Sequence, residues 1–234
     1  MKCRAASDQS LLIELGDEIG DECHERVVHL LRAIEHAPPP WLRNLHPAYC
    51  SLLVCFDTLA VSHAEVEAEI QRFERGAGEA PEEPARSVEI PVCYGGEFGP
   101  DLAAVAAAHQ LTPERVIEIH CGETYRAYFL GFAPGFAYLG DVPESIATAR
   151  HASPRLSVPP GSVGLTGRQT GVYPFATPGG WQLIGRTPLV MFRAERSPMS
   201  RIALGDRVSF KPISTEEFSR VAALETAAAA TEPT

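Results

Sequence analysis

The chain has 234 residues, 45% of them apolar and 21% charged, enough for one large or two small globular cores. A net charge of −10 opposes binding to a phosphate backbone, and no run of about 18 apolar residues is present to span a membrane. The N-terminal MKCRAASDQS lacks the apolar stretch of a signal peptide, so the expected compartment is the cytoplasm.

Charge is distributed unevenly. Residues 1–87 carry 8 basic and 16 acidic side chains, whereas 150–220 carry 10 basic and 4 acidic, which favours a small anion in the later part. Lys2 and Lys211 are the only lysines, so lysine-dependent chemistry is excluded almost everywhere. The six cysteines form no C-x-x-C pair and are expected to be free thiols.

In chain order, the first segment reads as a small α+β unit. SLLIELG (10–16) is a short apolar strand ended by glycine. Residues 22–36 set Val27, Val28, Leu30, Leu31 and Ile34 at helical spacing, and Pro38–Pro40 stop that helix. SLLVCF (51–56) is a second strand. Ser62 to Glu65 form a capping box that opens a helix with Val66, Ile70 and Phe73 on one face. RGAGEAPEEPARS (75–87) has almost nothing apolar and reads as a linker. The expected organisation is an N-terminal domain at 1–80, a linker at 81–87, a second domain at 88–220, and a helix end with a disordered tail at 221–234.

The second segment begins with the strand VEIPVCY (88–94), followed by the Ala-rich helix DLAAVAAAHQL. Thr112-Pro113 then opens a second helix, PERVIEIH, with an N-cap and proline at its first position. These two helices do not read bases, because Glu114 and Glu118 flank a lone Arg115 where phosphate contacts need cations. Short strands are expected at 125–132, 163–167, 171–175, 181–185, 188–192 and 206–212. Ten glycines and seven prolines fall in 131–186, and short strands with such turns argue for a barrel or sandwich. Ser214 to Glu217 is a further capping box, starting a last helix.

There is no phosphate loop, no G-x-S-x-G elbow and no H-E-x-x-H. What remains is a dense set of glycines, aromatics and amides. In LGFAPGFAYLGD (130–141), Phe132, Phe136 and Tyr138 stand among Gly131, Pro134, Gly135 and Gly140. This is either a rigid loop that walls a ligand or a connection whose aromatics plug the barrel. In 166–188, Gln169, Thr170, Tyr173, Thr177 and Trp181 offer uncharged donors and acceptors suited to an amide or lactam. Arg168 and Arg186 are either groups that hold a carboxylate or phosphate or ordinary surface charges. His120, at a helix end, is either a general base or a partner of the helix dipole. The candidate catalytic residues are thus His120 and Gln169. The candidate substrate-binding residues are Phe132, Pro134, Gly135, Phe136, Thr170, Tyr173, Thr177, Trp181 and Arg186, with no metal ligands among them.

IPVCYGGEFGPDL (90–102), RVIEIH (115–120), YFLGFAPGFAYLG (128–140), PRLSVPPGSVGLTGRQTGVYPFATPGGWQLIGRTP (154–188) and LGDRVSF (204–210) together resemble one family. It is that of the bacterial 5-oxoprolinase B subunit, also called the KipI-type kinase inhibitor and allophanate hydrolase subunit 1 family. AYCSLLVCFD (48–57) resembles its N-terminal strand. Ala137, where proline is frequent, and Arg168, where a small residue is common, depart from its pattern. The resemblance implies an α+β fold: a small N-terminal α/β sandwich-like domain followed by a cyclophilin-like β-barrel domain. It implies partner subunits C and A, a small-molecule substrate, and ATP-dependent opening of 5-oxoproline to glutamate with ATP and Mg²⁺ held by the complex. Inhibition of a sensor histidine kinase and a role beside urea carboxylase are the alternatives. A lactam resists hydrolysis through amide resonance, and activating it with phosphate needs cations and carboxylates. Near the motif block the carboxylates are Asp141 and Glu144, so this chain is expected to supply half a site.

Limited proteolysis should therefore cut first within 75–87 and release a stable fragment starting near Val88. First cleavage inside 125–190 would displace the domain boundary.

Overall fold

The structure, a computed structural model, describes residues 1–18, 20–76 and 85–231. Most of the expected linker, 77–84, and the last residues of the expected tail, 232–234, lie outside the described residues. The chain divides into two compact units, Met1–Pro84 and Ala85–Thr234.

The first unit is an antiparallel sheet of β1 (Lys2–Ser7), β2 (Ser10–Glu14), β3 (Leu42–Pro47) and β4 (Ser51–Phe56) in the order β1-β2-β4-β3. In β4 every second residue is buried, and β2 buries Leu11 and Ile13 on either side of the half-buried Leu12. The pairs Leu11–Val54 and Ile13–Leu52 therefore share one buried face. Helix α1 (Asp21–His36) packs on β3, β4 and α2 (His63–Gly76), and α2 packs on β2. Their buried stripes are Val27, Leu30, Leu31 and Ile34 in α1, and Val66 and Ile70 in α2. The α2 capping box forms as expected: the Ser62 N–H donates to Glu65 Oε2 at 2.9 Å, and Ser62 Oγ accepts from the Glu65 N–H at 3.4 Å.

The second unit is built on the expected closed β-barrel. Its strands are β5 (Ser87–Tyr94), β6 (Thr124–Leu130), β7 (Ala137–Gly140), β9 (Ser162–Thr166), β10 (Gln169–Val172), β12 (Gln182–Arg186) and β13 (Arg207–Pro212), closing in the order β10-β7-β6-β13-β5-β12-β9. The β5–β13 pair is parallel and every other pair antiparallel. β8 (Arg155–Val158) and β11 (Thr177–Gly179) make a separate two-stranded ribbon. Helices α3 (Leu102–Ala108) and α4 (Pro113–Gly122) pack on each other and on β12 and β13 respectively. As expected, Thr112 caps α4 by accepting the Arg115 N–H at 3.2 Å. The barrel interior is filled by Ile90, Val92, Tyr125, Leu139, Val163, Leu165, Val172, Ile184 and Val208. Where β5 and β13 run side by side, Arg86 grips the buried Asp206 carboxylate through two contacts of 3.0 and 2.6 Å.

Three expectations are corrected. PLVMF (188–192) is not a strand but a single antiparallel bridge, Phe192 to Ser200, flanked by the Arg201 N–H donating to the Met191 carbonyl and the Arg193 N–H to the Met199 carbonyl; the Val190 carbonyl is taken by the Arg201 guanidinium at 3.2 Å, and Pro188 has no N–H to give. The strand expected at 171–175 stops at Val172: the Tyr173 carbonyl accepts from the Gly161 N–H at 2.7 Å while the Ser162 N–H turns to the Pro159 carbonyl, and Pro174 has no N–H. The last helix reaches further than the helix end and tail expected at 221–234: α5 (Thr215–Thr231) stays helical through its alanines, the residue of highest helix propensity. Arg201 Nη2 holds Glu225 Oε1 of α5 at 2.7 Å. All six cysteines are free.

Leu139, fully buried at the centre of β7, is the test of this core. Leu139→Ala should cost the barrel's unfolding transition about 2–5 kcal/mol. In the same urea titration, Leu59→Ala, at a residue that is 97% exposed, should cost about 0.5 kcal/mol or less.

Candidate functional site

Side-chain alternation along the barrel strands decides what faces where. Leu139, Val163, Leu165 and Val172 point into the core, so Tyr138, Gly164 and Gly171 lie on the outer surface. Gly164 and Gly171 face each other across β9 and β10. A Cβ on Gly164 would come within 3.0 Å of Trp181 Cβ, and one on Gly171 within 3.2 Å of Phe136 Cζ. The missing side chains let aromatic rings lie directly on the barrel wall. Phe136 sits at the centre of the cluster, its ring centroid 5.0 Å from Tyr138, 5.3 Å from Tyr173, and 5.4 Å from both Phe132 and Trp181.

These five aromatics line an open cavity of about 320 Å³, completed by Arg150, Pro154 and Pro178–Gly180. That is the small end of the range for ligand sites, about 300–1,000 Å³. Phe132 is 60% exposed at its mouth and has φ of 68°, a left-handed backbone that a bulky residue adopts only under constraint. Burial pushes the Tyr138 and Tyr173 hydroxyls above their ordinary pKa, so both are neutral donors at neutral pH.

The far wall of the cavity is tied down by Asp101, a buried carboxylate at the start of α3. Asp101 Oδ1 accepts Arg155 Nη2 at 2.6 Å, and Oδ2 accepts the Leu183 N–H at 2.6 Å, with His151 Nε2 at 3.3 Å. The same two partners hold the wall itself. The His151 N–H donates to the Gly180 carbonyl at 2.7 Å, and Arg155 Nη1 to the Trp181 carbonyl at 3.5 Å.

Of the residues expected at the site, the structure gathers Phe132, Phe136, Tyr173 and Trp181 around the cavity. Pro134 and Gly135 belong to the loop that carries Phe132 and Phe136 but do not line it. Gly135, at φ +80°, leaves room for Phe192, whose Cβ would stand 2.6 Å from a Cβ there. Thr177 opens β11 next to the lining residue Pro178. Gln169 is elsewhere on β10, paired with Thr166 and Gly140. Arg186 reaches the Glu97 carbonyl at 3.3 Å and lies 5.6 Å from the centroid of the Phe98 ring, while Arg168 is an exposed neighbour of Asp141 at 3.9 Å. Tyr138, Arg150, Pro154, Pro178, Gly179 and Gly180 line the cavity without having been expected as substrate-binding residues. The signal that pointed toward Arg150 was the positive balance of 150–220, not a motif.

His120 and Thr170 are on the other side of the wall, inside the barrel, both fully buried. Thr170 Oγ1 donates to the Gly164 carbonyl at 3.0 Å and therefore accepts from His120 Nε2–H, also at 3.0 Å. That leaves Nδ1 to accept the Tyr94 hydroxyl proton at 2.8 Å, and the Cys121 thiol donates to Tyr94 at 3.3 Å. The ring also stacks on Phe210, centroids 4.5 Å apart. Burial depresses the His120 pKa from 6.5 to about 3, so the ring is neutral. The reading of His120 as a charged partner of the helix dipole is corrected on that ground. As a base it has no access to the cavity, with both nitrogens already engaged.

No group of three or more His, Cys, Asp or Glu that could hold a metal occurs among the described residues. Asp141 accepts the Tyr128 hydroxyl at 2.9 Å, and Glu144 begins a short 3-10 turn. A small cavity whose lining includes no carboxylate does not fit a magnesium–nucleotide complex.

The family described as carboxyltransferase domain, subdomain C and D, matches residues 1–202. The chain is 45% identical over 222 residues to the 5-oxoprolinase B subunit of Bacillus subtilis (strain 168), covering 90% of this chain and 92% of that one. It is 53% identical over 145 residues to the 5-oxoprolinase B subunit of Escherichia coli O157:H7, covering 61% and 66%. Among solved structures, TTHA0988 aligns with a TM-score of 0.78 at 34% identity, over 88% of this chain and 40% of that one. The Kluyveromyces lactis urea carboxylase aligns with a TM-score of 0.73 at 18% identity, over 94% and 22%, a likeness of fold alone. The chain thus matches less than half the length of either solved chain.

His120 makes stability depend on pH in a defined direction. Above pH 6.5 neither the folded nor the unfolded chain protonates this ring. As the pH falls from 6.5 toward 3, the unfolded chain takes up a proton that the folded one refuses, so stability is lost in that window, by up to about 1.4 kcal/mol per pH unit. His120→Gln should reduce the loss of unfolding free energy between pH 7 and pH 4.5 by about 1–3 kcal/mol relative to the parent. Equal losses would mean that His120 titrates freely in the folded barrel.

Proposed function

The chain belongs to the carboxyltransferase subdomain C and D family, and from that premise we propose that it is the B subunit of a heteromeric 5-oxoprolinase. The observation that carries this reading is the 45% identity to a 5-oxoprolinase B subunit over nine-tenths of both proteins. The complex would open 5-oxo-L-proline to L-glutamate as ATP becomes ADP and phosphate, with subunits C and A as partners.

The cavity supports a lactam-binding role for this chain. Its aromatic walls suit a small ring, and the neutral Tyr138 and Tyr173 hydroxyls are donors for a lactam carbonyl. The nucleotide and its Mg²⁺ do not fit this cavity, so the ATP chemistry is assigned to the partner subunits. The chain's own part is to hold the ring, exclude water from its faces and present the amide to the partner.

Exposed Phe132 favours a second reading, in which the aromatic rim docks a segment of a sensor histidine kinase. Phe132→Ala would then relieve inhibition of kinase autophosphorylation, with a circular dichroism spectrum unchanged from the parent.

Purified alone, the chain should show no 5-oxoproline-stimulated ATP hydrolysis; coexpressed with subunits C and A, it should. Trp181→Ala in that complex should lower kcat/KM for 5-oxoproline by about tenfold or more. Sustained turnover by the isolated chain would sink the half-site reading, and an unchanged kcat/KM would move the substrate away from the aromatic cavity.

A further inference from the structure

The cavity's charge is set by one side chain. Among its lining residues Arg150 alone is ionised at neutral pH, and no carboxylate lines it. The neighbouring cations are already committed. Arg155 is neutralised by Asp101 at 2.6 Å, Arg186 is turned to the Glu97 carbonyl, and Arg168 lies near Asp141. Arg150, by contrast, is exposed and makes no hydrogen bond or ion pair within the described part of the chain. It stands directly before His151, whose N–H is bonded to Gly180, so its backbone is anchored to the cavity wall while its guanidinium stays available.

We propose that Arg150 is the specificity-determining residue of the aromatic cavity, selecting a small cyclic monocarboxylate by pairing its carboxylate while the ring lies among Phe136, Tyr173 and Trp181. This deepens the lactam-binding reading and rests on it. One planar guanidinium matches one carboxylate through two parallel hydrogen bonds. A polyphosphate would need several cations, and the cavity offers one. A neutral lactam keeps the ring contacts but loses the charge-assisted pair, so the site discriminates against it. Because Arg150 is uncompensated before binding, the ligand's negative charge is neutralised without stripping the guanidinium from another partner.

Two measurements test this. In the complex with subunits C and A, Arg150→Met should raise KM for 5-oxo-L-proline about tenfold or more with little change in kcat, and Arg150→Lys should restore part of the loss. On the isolated full chain, saturation-transfer NMR should show contact with 5-oxo-L-proline that Arg150→Met abolishes, whereas the weaker signal from neutral 2-pyrrolidinone should be equal in both. Circular dichroism of the variant should match the parent, since Arg150 holds no structural contact. Undiminished oxoproline binding by Arg150→Met, or absence of transfer from either compound to the parent chain, overturns the proposal. If the isolated chain shows the Arg150-dependent preference but the complex has no oxoproline-dependent ATP hydrolysis, the carboxylate site stands and the 5-oxoprolinase reading fails.

Discussion

The cross-strand pair of Gly164 and Gly171 is the constraint on which the rest of the barrel's outer site depends. Any side chain at either position would push into Trp181 or Phe136, and there would be no wall on which the aromatic cluster could lie. The strand period then dictates the other face. One residue along, Leu165 and Thr170 are paired and point inward, which brings Thr170 to His120. A single register thus sets both an open aromatic cavity outside and a closed polar chain inside. A slip of one residue would exchange them, burying the glycines and exposing the hydroxyl.

The two faces solve the problem of polar groups differently. Inside, the chain from Cys121 through Tyr94, His120 and Thr170 to the Gly164 carbonyl satisfies each donor in turn. A neutral imidazole is cheap to bury under those conditions, while a charged one is not. Outside, the charge is kept but balanced. Asp101 faces Arg155 and His151, leaving Arg150 as the cavity's net charge. The positive balance of 150–220 in an acidic protein is therefore not spread evenly around the cavity.

Much of the fold was legible because its buried strands and helices carry apolar residues at the period of their structure. β2, β4, β5, β9, β12 and β13 all have core-facing residues, and the capping boxes at Ser62 and Ser214 mark real helix starts. The strands that escaped notice lack that signature. In β1 five of six residues are exposed, and β8 and β11 form a short ribbon outside the barrel. β7 was hidden inside a glycine- and aromatic-rich stretch that reads as a loop, though only residues 131–136 are one. The aromatic half of the site was legible for the opposite reason: large rings beside glycines leave few other arrangements. Arg150 was not, because an arginine's availability depends on which neighbouring carboxylates are already taken, and Asp101 lies 54 residues before Arg155, the side chain that occupies it.

The aromatic cavity also bears on why such a chain would work with others. Phe132 at the cavity mouth and Leu156 on β8, 93% exposed, are apolar groups left in water, and each would gain by being covered. Under the subunit reading, covering them and closing the open cavity are one event. The ring of the substrate would be sealed from water only when the partner is seated, which couples assembly of the complex to the desolvation that the reaction needs.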